Sequence, residues 1–176
     1  LKISKTFSKD LTESYKEQCS NFLSKFNGFN GQKVVGIEEN FNIMVKINDK
    51  IMILNGFIDA VVQDENGDIT IVDFKSKSKF ASKKELKEYA RQLYMYSIWI
   101  KHKYGKFPKE LQFVQFRIDH VEKMEFNVED YEEMLNWICE TSVEIDDEEF
   151  FAPSCDKFFA NNLCGHSQYC PYADLY

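Results

Sequence analysis

The sequence of 176 residues predicts an α/β fold in which a central mixed sheet is flanked by helices. Apolar residues recur at helical spacing in some segments and alternate with polar residues in others, which gives the order αβββαββα. Elements in this order bury their apolar faces by packing helices beside a sheet. Because no internal repeat or low-complexity linker interrupts the order, one core is expected.

The first helix is predicted from Ser8 to Phe26, and two strands follow it. Its apolar residues recur at helical spacing, and two glycines follow as stop signals: Leu11, Tyr15, Phe22, Leu23, Gly28 and Gly31. The period then changes to two from Phe41 to Ile47. A turn at Asn48-Asp49 and a second apolar run from Ile51 to Val62 predict a hairpin.

A third strand and a long helix follow the hairpin. The strand is predicted from Ile69 to Lys75. Ser82 precedes Glu85 by three residues, a capping-box pattern that begins a helix, and Gly105 ends this helix after Tyr104. The remaining predicted elements are two strands and a last helix: 111–118, 123–128 and 129–147.

Charged residues interrupt two of these apolar strands. Asp59 lies on the second strand, and Asp73 and Lys75 lie on the third, beyond a turn at 64–67. Side chains two apart in a strand share one face, so Asp73 and Lys75 point the same way. Because such charges are costly to bury unless they are paired or hold a metal, the pattern favours metal-dependent phosphodiester cleavage.

The predicted long helix adds Gln92 and Tyr96, which are four residues apart and share one face. In phosphodiester hydrolysis, Mg²⁺ or Mn²⁺ would bind hard oxygen ligands, which Asp59 and Asp73 provide. The main-chain carbonyl of Phe74 is a further candidate ligand. Lys75 is expected to orient the attacking water or stabilise transition-state charge, and to lower the pKa of both aspartates.

These residues together resemble the PD-(D/E)XK nuclease superfamily, over roughly 34–104. They are similar to its RecB-like branch, which includes CRISPR-adaptation nucleases and phage exonucleases. The resemblance implies a restriction-endonuclease-like core, with Asp59 and Asp73 as metal ligands and Lys75 as the catalytic lysine. It also implies that Gln92 and Tyr96 position DNA or the water.

Two features qualify the resemblance. Glu38 resembles a glutamate that precedes the aspartate strand in many relatives, but its neighbour Glu39 leaves the choice open. Relatives also have a helix with a characteristic histidine before this core and an N-terminal cysteine, and none of the histidines here lies at that place: His102, His120 and His166. Because Leu1 is not an initiator methionine, we expect a truncated or processed N-terminus.

The net charge of −7 argues against a general nucleic-acid coat, because non-specific DNA affinity comes from Lys and Arg. It does not exclude a nuclease, because bound divalent cations attract phosphate to an acidic site. A local basic patch follows the third strand, unless it is only a solvated loop: Lys75, Lys77, Lys79, Lys83 and Lys84. Without a membrane span or signal peptide, the chain is expected to be cytoplasmic, in a bacterial or archaeal cell or phage-encoded inside a host.

Residues 151–176 are predicted to form a cysteine-bearing tail packed on a nuclease core of residues 1–150. In an intracellular protein, the clustering of Cys155, Cys164 and Cys170 indicates metal ligation before disulfides. The resemblance implies a 4Fe-4S cluster, whose fourth thiolate would come from Cys19 or from a residue outside this chain. The alternatives are a zinc site that uses His166, or buried thiols without metal.

The sequence therefore predicts a metal-dependent deoxyribonuclease, chiefly an exonuclease on DNA ends or single strands. The expected partners are DNA and other proteins of recombination, replication or CRISPR adaptation, with no membrane partner. One alternative is a non-catalytic DNA-binding or scaffold subunit of the same fold, which the intact Asp59, Asp73 and Lys75 disfavour. Another is a sequence-specific restriction endonuclease.

Overall fold

The computed structural model describes residues 9–26, 29, 31–149, 164–166, 169 and 170. The helices and strands appear in the predicted order, which confirms the α/β class. They are α1 (Lys9–Lys25), β1 (Lys33–Ile47), β2 (Lys50–Gln63), β3 (Ile69–Lys75), α2 (Lys83–Tyr104), β4 (Glu110–Gln115), β5 (His120–Glu125) and α3 (Val128–Asp147). In the described part of the chain, no helix is long and apolar enough to cross a membrane.

The strands form one five-stranded sheet in the order β1-β2-β3-β4-β5. β3 pairs in parallel with β4, and every other pairing is antiparallel. The parallel step requires a crossover, and α2 provides it. β3 is therefore the central strand, with a partner on each side, and its first five residues are buried.

Helices cover both faces of the sheet. The larger core lies on the face covered by α2 and α3, where Ile71 of β3 and Leu93 of α2 belong to one buried cluster with Met134 of α3. A smaller cluster of Ala60, Val62, Val72 and Val114 lies on the other face, against Phe22 of α1, Phe29 and Phe74. The two clusters have different members from β3 because successive strand residues face opposite ways.

Some strand boundaries differ from the prediction. β1 begins at Lys33 rather than near Phe41, because its first half lacks regular alternation: the register shifts between Val34 and Gly36. The two last strands end early, at Gln115 and Glu125 rather than at 118 and 128. The residues between them, 116–119, make the connecting turn.

The turn before β3 follows the predicted chemistry. Asp64 Oδ1 accepts hydrogen bonds from the main-chain N–H groups of Asn66 and Asp68, at 2.9 and 2.8 Å. Gly67 has a φ of 82°, a left-handed conformation that glycine adopts without strain. The turn therefore fixes how β2 and β3 align, and with them the carboxylates that both strands bear.

Little of the predicted tail is described. Of residues 151–176, the structure describes 164–166, 169 and 170, and Cys155 lies outside the described residues. The division into a core of 1–150 and a tail of 151–176 stays a prediction.

Candidate active site

Asp73 and Lys75 occupy the end of β3 on the face toward α2. The Lys75 Nζ lies 2.8 Å from Asp73 Oδ2, and the two side chains are 20% and 4% exposed. Burial raises the pKa of Asp73 above its usual value, even though the ammonium group of Lys75 favours the ionised carboxylate. Lys75 does lower the pKa of Asp73, as expected, but desolvation of the carboxylate is the larger effect and the net shift is upward.

Asp59 stands beside Asp73 on the neighbouring strand. The antiparallel pairing of β2 with β3 ends at Ala60 and Val72, and Asp59 and Asp73 are the next residues of the two strands. Asp59 Oδ2 accepts a hydrogen bond of 2.7 Å from the main-chain N–H of Phe74. The nearby charge of Asp59 contributes to the raised pKa of Asp73. The two predicted metal ligands are therefore close enough to interact.

The side chain of Phe74 points away from the side chains of Asp73 and Lys75, while its main chain contacts Asp59. Its side chain packs in the smaller cluster on the α1 side, with Val72 and Val114. Its N–H group is bound by Asp59, which fixes that carboxylate against the main chain between Asp73 and Lys75. The use of the Phe74 carbonyl as a metal ligand stays a prediction.

Helix α2 places Gln92 and Tyr96 over the strand end. The helix begins where Ser82 accepts a hydrogen bond from the Glu85 N–H at 3.1 Å. Gln92 Oε1 accepts a hydrogen bond of 3.0 Å from Lys75 Nζ, and Gln92 Nε2 donates to the Tyr96 hydroxyl at 2.6 Å. Burial is the main cause of a raised pKa of Tyr96. An ion pair and two hydrogen bonds thus connect Asp73 to Lys75, Lys75 to Gln92, and Gln92 to Tyr96.

Gly56 leaves the space that Tyr96 needs. A Cβ atom at this position would lie 3.0 Å from two ring carbons of Phe41 and 3.6 Å from a ring carbon of Tyr96. The rings of Phe41 and Tyr96 meet edge to face, with their centroids 5.9 Å apart. A larger residue would displace this pair. The glycine three residues before Asp59 is therefore part of how the site is built.

Sequence reasoning missed Tyr89. Lys75 Nζ lies 5.7 Å from the centroid of the Tyr89 ring and 5.6 Å from that of Phe113, within cation–π range. Tyr89 precedes Gln92 by three residues on α2, so helical spacing could have included it with Gln92 and Tyr96. The amine of the proposed catalytic lysine is thus bordered by two rings, a carboxylate and an amide.

The residues present fit a divalent cation. Lys75 approaches Asp73 Oδ2 at ion-pair distance, yet in the described part of the chain this buried oxygen accepts no hydrogen bond of acceptable geometry. A buried carboxylate oxygen without such a bond is costly, and a bound cation would satisfy it. Among the described residues no group of three or more His, Cys, Asp or Glu forms a metal site. The pair Asp59 and Asp73 suits Mg²⁺, which typically uses one or two carboxylates and keeps waters or substrate oxygens.

The two adjacent glutamates of β1 behave differently. Glu38 is exposed and has a φ of 44°. The side chain of Glu39 is only 9% exposed, and its Oε1 accepts hydrogen bonds from Trp99 Nε1 and, at 2.7 Å, from Lys103 Nζ. Neither glutamate joins Asp59 and Asp73 in a three-carboxylate group within the described chain. A catalytic role for Glu38 stays a prediction.

The basic patch after β3 is only partly neutralised. Lys77 pairs with Glu85 at 2.7 Å, and this contact raises the pKa of Lys77 and lowers that of Glu85. The other lysines of the loop and helix start are exposed: Lys79, Lys83 and Lys84. The buried Gln115 side chain donates to the Lys77 carbonyl at 3.2 Å and so fixes the loop to β4.

The described cysteines are free thiols. Cys164 and Cys170 are partly buried, and Cys19 on α1 is exposed. With Cys155 outside the described residues, the predicted tail cluster stays a prediction.

A mixed sheet with two carboxylates and a lysine at one strand end, covered by a helix bearing Gln92 and Tyr96, is typical of metal-dependent nucleases. The model of the PD-(D/E)XK nuclease superfamily matches residues 6–175 of the chain. The chain belongs to this superfamily, as its motifs predicted.

Two further comparisons concern individual proteins. A solved structure titled "Crystal structure of SSO0001" is similar to the chain, with 13% sequence identity and a TM-score of 0.43; the match covers 93% of this chain and 71% of that one. No curated protein matches the chain.

Proposed function

We propose that this chain is a deoxyribonuclease that depends on Mg²⁺ or Mn²⁺ and removes nucleotides from DNA ends or single strands. The proposal rests on one observation above the others. Among the described residues, the buried Oδ2 of Asp73 has only the ion pair with Lys75, and the charge of Asp59 acts on the same carboxylate. A binding site for a cation and a positively charged group for a developing anion are thus present together.

Each residue has a role that its contacts support. Asp59 and Asp73 hold the cation, with the Phe74 carbonyl as a further ligand. The cation, when bound, supplies charge neutralisation and a water that is nucleophilic at neutral pH. Lys75 stabilises negative charge on the phosphate, and Gln92 fixes its amine by accepting a hydrogen bond.

Tyr96 and Tyr89 support this arrangement from α2. The Tyr96 hydroxyl accepts a hydrogen bond from Gln92 and so orients the amide whose oxygen binds Lys75. The Tyr89 ring borders the same lysine amine. Because both tyrosines belong to one helix, α2 acts as a rigid support that holds the lysine in position before substrate arrives.

The charge distribution is compatible with DNA despite the net charge of −7. Lys79, Lys83 and Lys84 are exposed in the segment that follows β3. Exposed lysines bind phosphates without reading sequence, which suits an enzyme that accepts many DNA sequences. A carboxylate pair filled by a divalent cation no longer repels phosphate.

The test is digestion of single- and double-stranded oligonucleotides labelled at either end. We expect products that shorten from one end in Mg²⁺ or Mn²⁺, none with a chelator, and recovery when metal returns. Internal cleavage at a defined sequence would instead indicate a restriction endonuclease. Binding without cleavage under every metal condition would indicate a non-catalytic subunit and would overturn the proposal.

We further propose that the tail binds a 4Fe-4S cluster through Cys155, Cys164 and Cys170. Such a cluster absorbs broadly in the visible, whereas zinc is colourless. Protein purified without oxygen is expected to be brown and to contain iron, and Cys164→Ser is expected to lose both properties. Zinc in place of iron would favour the zinc alternative, and protein with neither metal would show that these thiols only pack.

The finer assignment is to the RecB-like branch, with a role in recombination, replication or CRISPR adaptation. The spacing from Asp59 through Asp73 and Lys75 to Gln92 and Tyr96 supports it. The end preference found in the digestion test distinguishes this branch from enzymes that cut internally.

A further inference from the structure

A pocket adjoins the end of β3 on the α1 side of the sheet, whereas Asp73 and Lys75 point to the α2 side. It has a volume of about 310 Å³ and is lined by Tyr15, Gln18, Cys19, Ser76, Phe116 and Arg117. Three of these residues belong to α1, and Phe116 and Arg117 belong to the turn between β4 and β5. Ser76, which lines the pocket, directly follows Lys75 in the sequence, so the pocket adjoins the strand end that bears the proposed catalytic lysine.

Arg117 is held in position within this pocket. Its Nε donates a hydrogen bond of 3.0 Å to Gln18 Oε1, and its guanidinium also reaches the Ser76 carbonyl at 3.5 Å. The guanidinium carbon lies 4.9 Å from the centroid of the Tyr15 ring. Among the residues that the structure describes, no salt bridge neutralises Arg117. A fixed cation therefore stands over an aromatic ring that is itself 38% exposed.

A planar, weakly polar group next to a phosphate suits this pocket best. Aromatic rings and arginine planes both stack on nucleobases, and they do so for every base because each has a π-face. The charge of Arg117, which forms no salt bridge among the described residues, favours a ligand with a nearby anion. A nucleotide of a DNA strand whose phosphate lies at Lys75 combines both features.

We propose that this pocket stacks the base of a nucleotide next to the cleaved phosphodiester, and that it accepts only an unpaired base. The inference rests on the proposed nuclease function and adds a preference to it. In a duplex, each base is already stacked and paired, so it cannot enter a pocket between α1 and the β4–β5 turn. Single strands and frayed ends are therefore the substrates that use it.

The first test uses the unmodified protein and a set of single-stranded oligonucleotides, each with one abasic nucleotide at a different position. The rate of the first cleavage is measured in Mn²⁺. At one fixed distance from the cleaved bond, the missing base is expected to raise KM by about 5- to 150-fold and to leave kcat unchanged, which is the range for loss of one base–aromatic stack. An equal KM at every position would overturn the proposal.

Substitutions then assign the effect to the pocket. Tyr15→Leu is expected to raise KM for the intact strand to the value seen with the critical abasic strand, and to show no further loss on that abasic strand. Tyr15→Phe keeps the ring and is expected to behave as wild type. Arg117→Gln is compared with Arg91→Gln, because Arg91 lies 5.1 Å from the Trp137 ring in a similar pair elsewhere. Only Arg117→Gln is expected to raise KM.

A binding measurement separates this inference from the proposed function. With metal chelated, fluorescence anisotropy gives the affinity for labelled single-stranded and duplex DNA without cleavage. Tyr15→Leu is expected to weaken single-strand binding alone. If the wild type cleaves but neither abasic positions nor Tyr15→Leu changes KM, the pocket assignment fails and the nuclease assignment remains. If nothing is cleaved but single-strand binding depends on Tyr15, the nuclease assignment fails and the pocket assignment remains.

Discussion

Two carboxylate–lysine pairs lie at the two ends of β3. Their N–O distances are the same, but the pKa values of their carboxylates shift in opposite directions. Asp68 and Lys109, before the strand, are 2.8 Å apart, as are Asp73 and Lys75 at its end. The first pair has side chains 37% and 65% exposed, whereas those of the second are 4% and 20% exposed. The hydrogen bond from Lys109 lowers the pKa of Asp68, while burial raises the pKa of Asp73. Distance alone therefore does not decide what such a pair does.

Burial decides which of these two carboxylates is the better site for a cation. Water already solvates Asp68, so its ion pair adds little and leaves nothing unsatisfied. Asp73 lies under α2 and is almost removed from water, and the ion pair with Lys75 does not offset this desolvation, because the net pKa shift of Asp73 is upward. A divalent cation bound at Asp73 would offset this desolvation. Because only the folded protein forms the site, binding of the cation would also stabilise the fold.

The largest expected effect is loss of activity in Asp73→Ala. Removing one of two carboxylate ligands is expected to lower the rate of cleavage by several orders of magnitude. The fold should persist, because a buried charge beside Asp59 is removed. Asp68→Ala is the matched control and is expected to cleave like wild type. Equal activity of the two variants in the labelled-oligonucleotide assay would contradict the comparison.

Lys75→Met is expected to keep metal binding and lose turnover. A protonated lysine has no lone pair for a metal, so its removal leaves Asp59 and Asp73 able to bind Mn²⁺. The charge that stabilises the transition state is lost, which lowers kcat by orders of magnitude. Calorimetric titration with Mn²⁺ beside the cleavage assay separates the two effects, with Lys109→Met as control. Loss of metal binding together with activity would indicate a structural role instead.

Metal binding is expected to stabilise the fold through Asp73. At a Mn²⁺ concentration one hundred times Kd, linkage adds about 2.7 kcal/mol to the free energy of unfolding. Asp73→Asn is expected to unfold at a higher temperature than wild type without metal, because a buried charge is removed, and to gain little from Mn²⁺. Thermal melts with and without Mn²⁺ measure both changes. A metal-dependent shift as large in Asp73→Asn as in wild type would place the cation elsewhere.

The contrast between these pairs shows which properties the sequence alone could predict. Alternation and turn chemistry predicted β3 at Ile69–Lys75 as observed, and the capping pattern placed Ser82 at the start of α2. These are local properties. The raised pKa of Asp73 depends on burial by α2 and neighbouring strands, which a pattern two residues long does not contain. The pocket is equally non-local, since Tyr15 and Arg117 meet only after α1 packs on the sheet.

The two glutamates of β1 are a case in which alternation gives no answer. The register shift before Gly36 and the positive φ of Glu38 interrupt the pleat, so period-two spacing does not say which side chain turns inward. In the structure it is Glu39 that faces Trp99 and Lys103 of α2.

Replacing either glutamate by a smaller residue is expected to change the free energy of unfolding, in opposite directions at the two positions. Glu39→Ala leaves the Trp99 N–H without its partner and is expected to lower the free energy of unfolding by about 1–3 kcal/mol. Glu38→Gly is expected to raise it slightly, because glycine adopts a positive φ without strain and this relief exceeds the entropy that glycine adds to the unfolded chain. Urea titration of both variants measures the difference. A larger loss of stability at Glu38 than at Glu39 would contradict the structure here.

The smallest expected effect is the pH dependence of the exposed pair. The pKa of Asp68 is lower in the folded chain than its ordinary value of 3.8, so its ionised form stabilises the fold above that value. This contribution is lost as pH falls through the folded pKa. Asp68→Asn lacks it, so wild type should melt slightly higher than the variant near neutral pH, and the two should converge in acid. Because salt screens an exposed pair, the difference should also shrink at high ionic strength. A difference that grew on acidification would show that Asp68 is not stabilised by Lys109, and the contrast with Asp73 would then have to rest on burial alone.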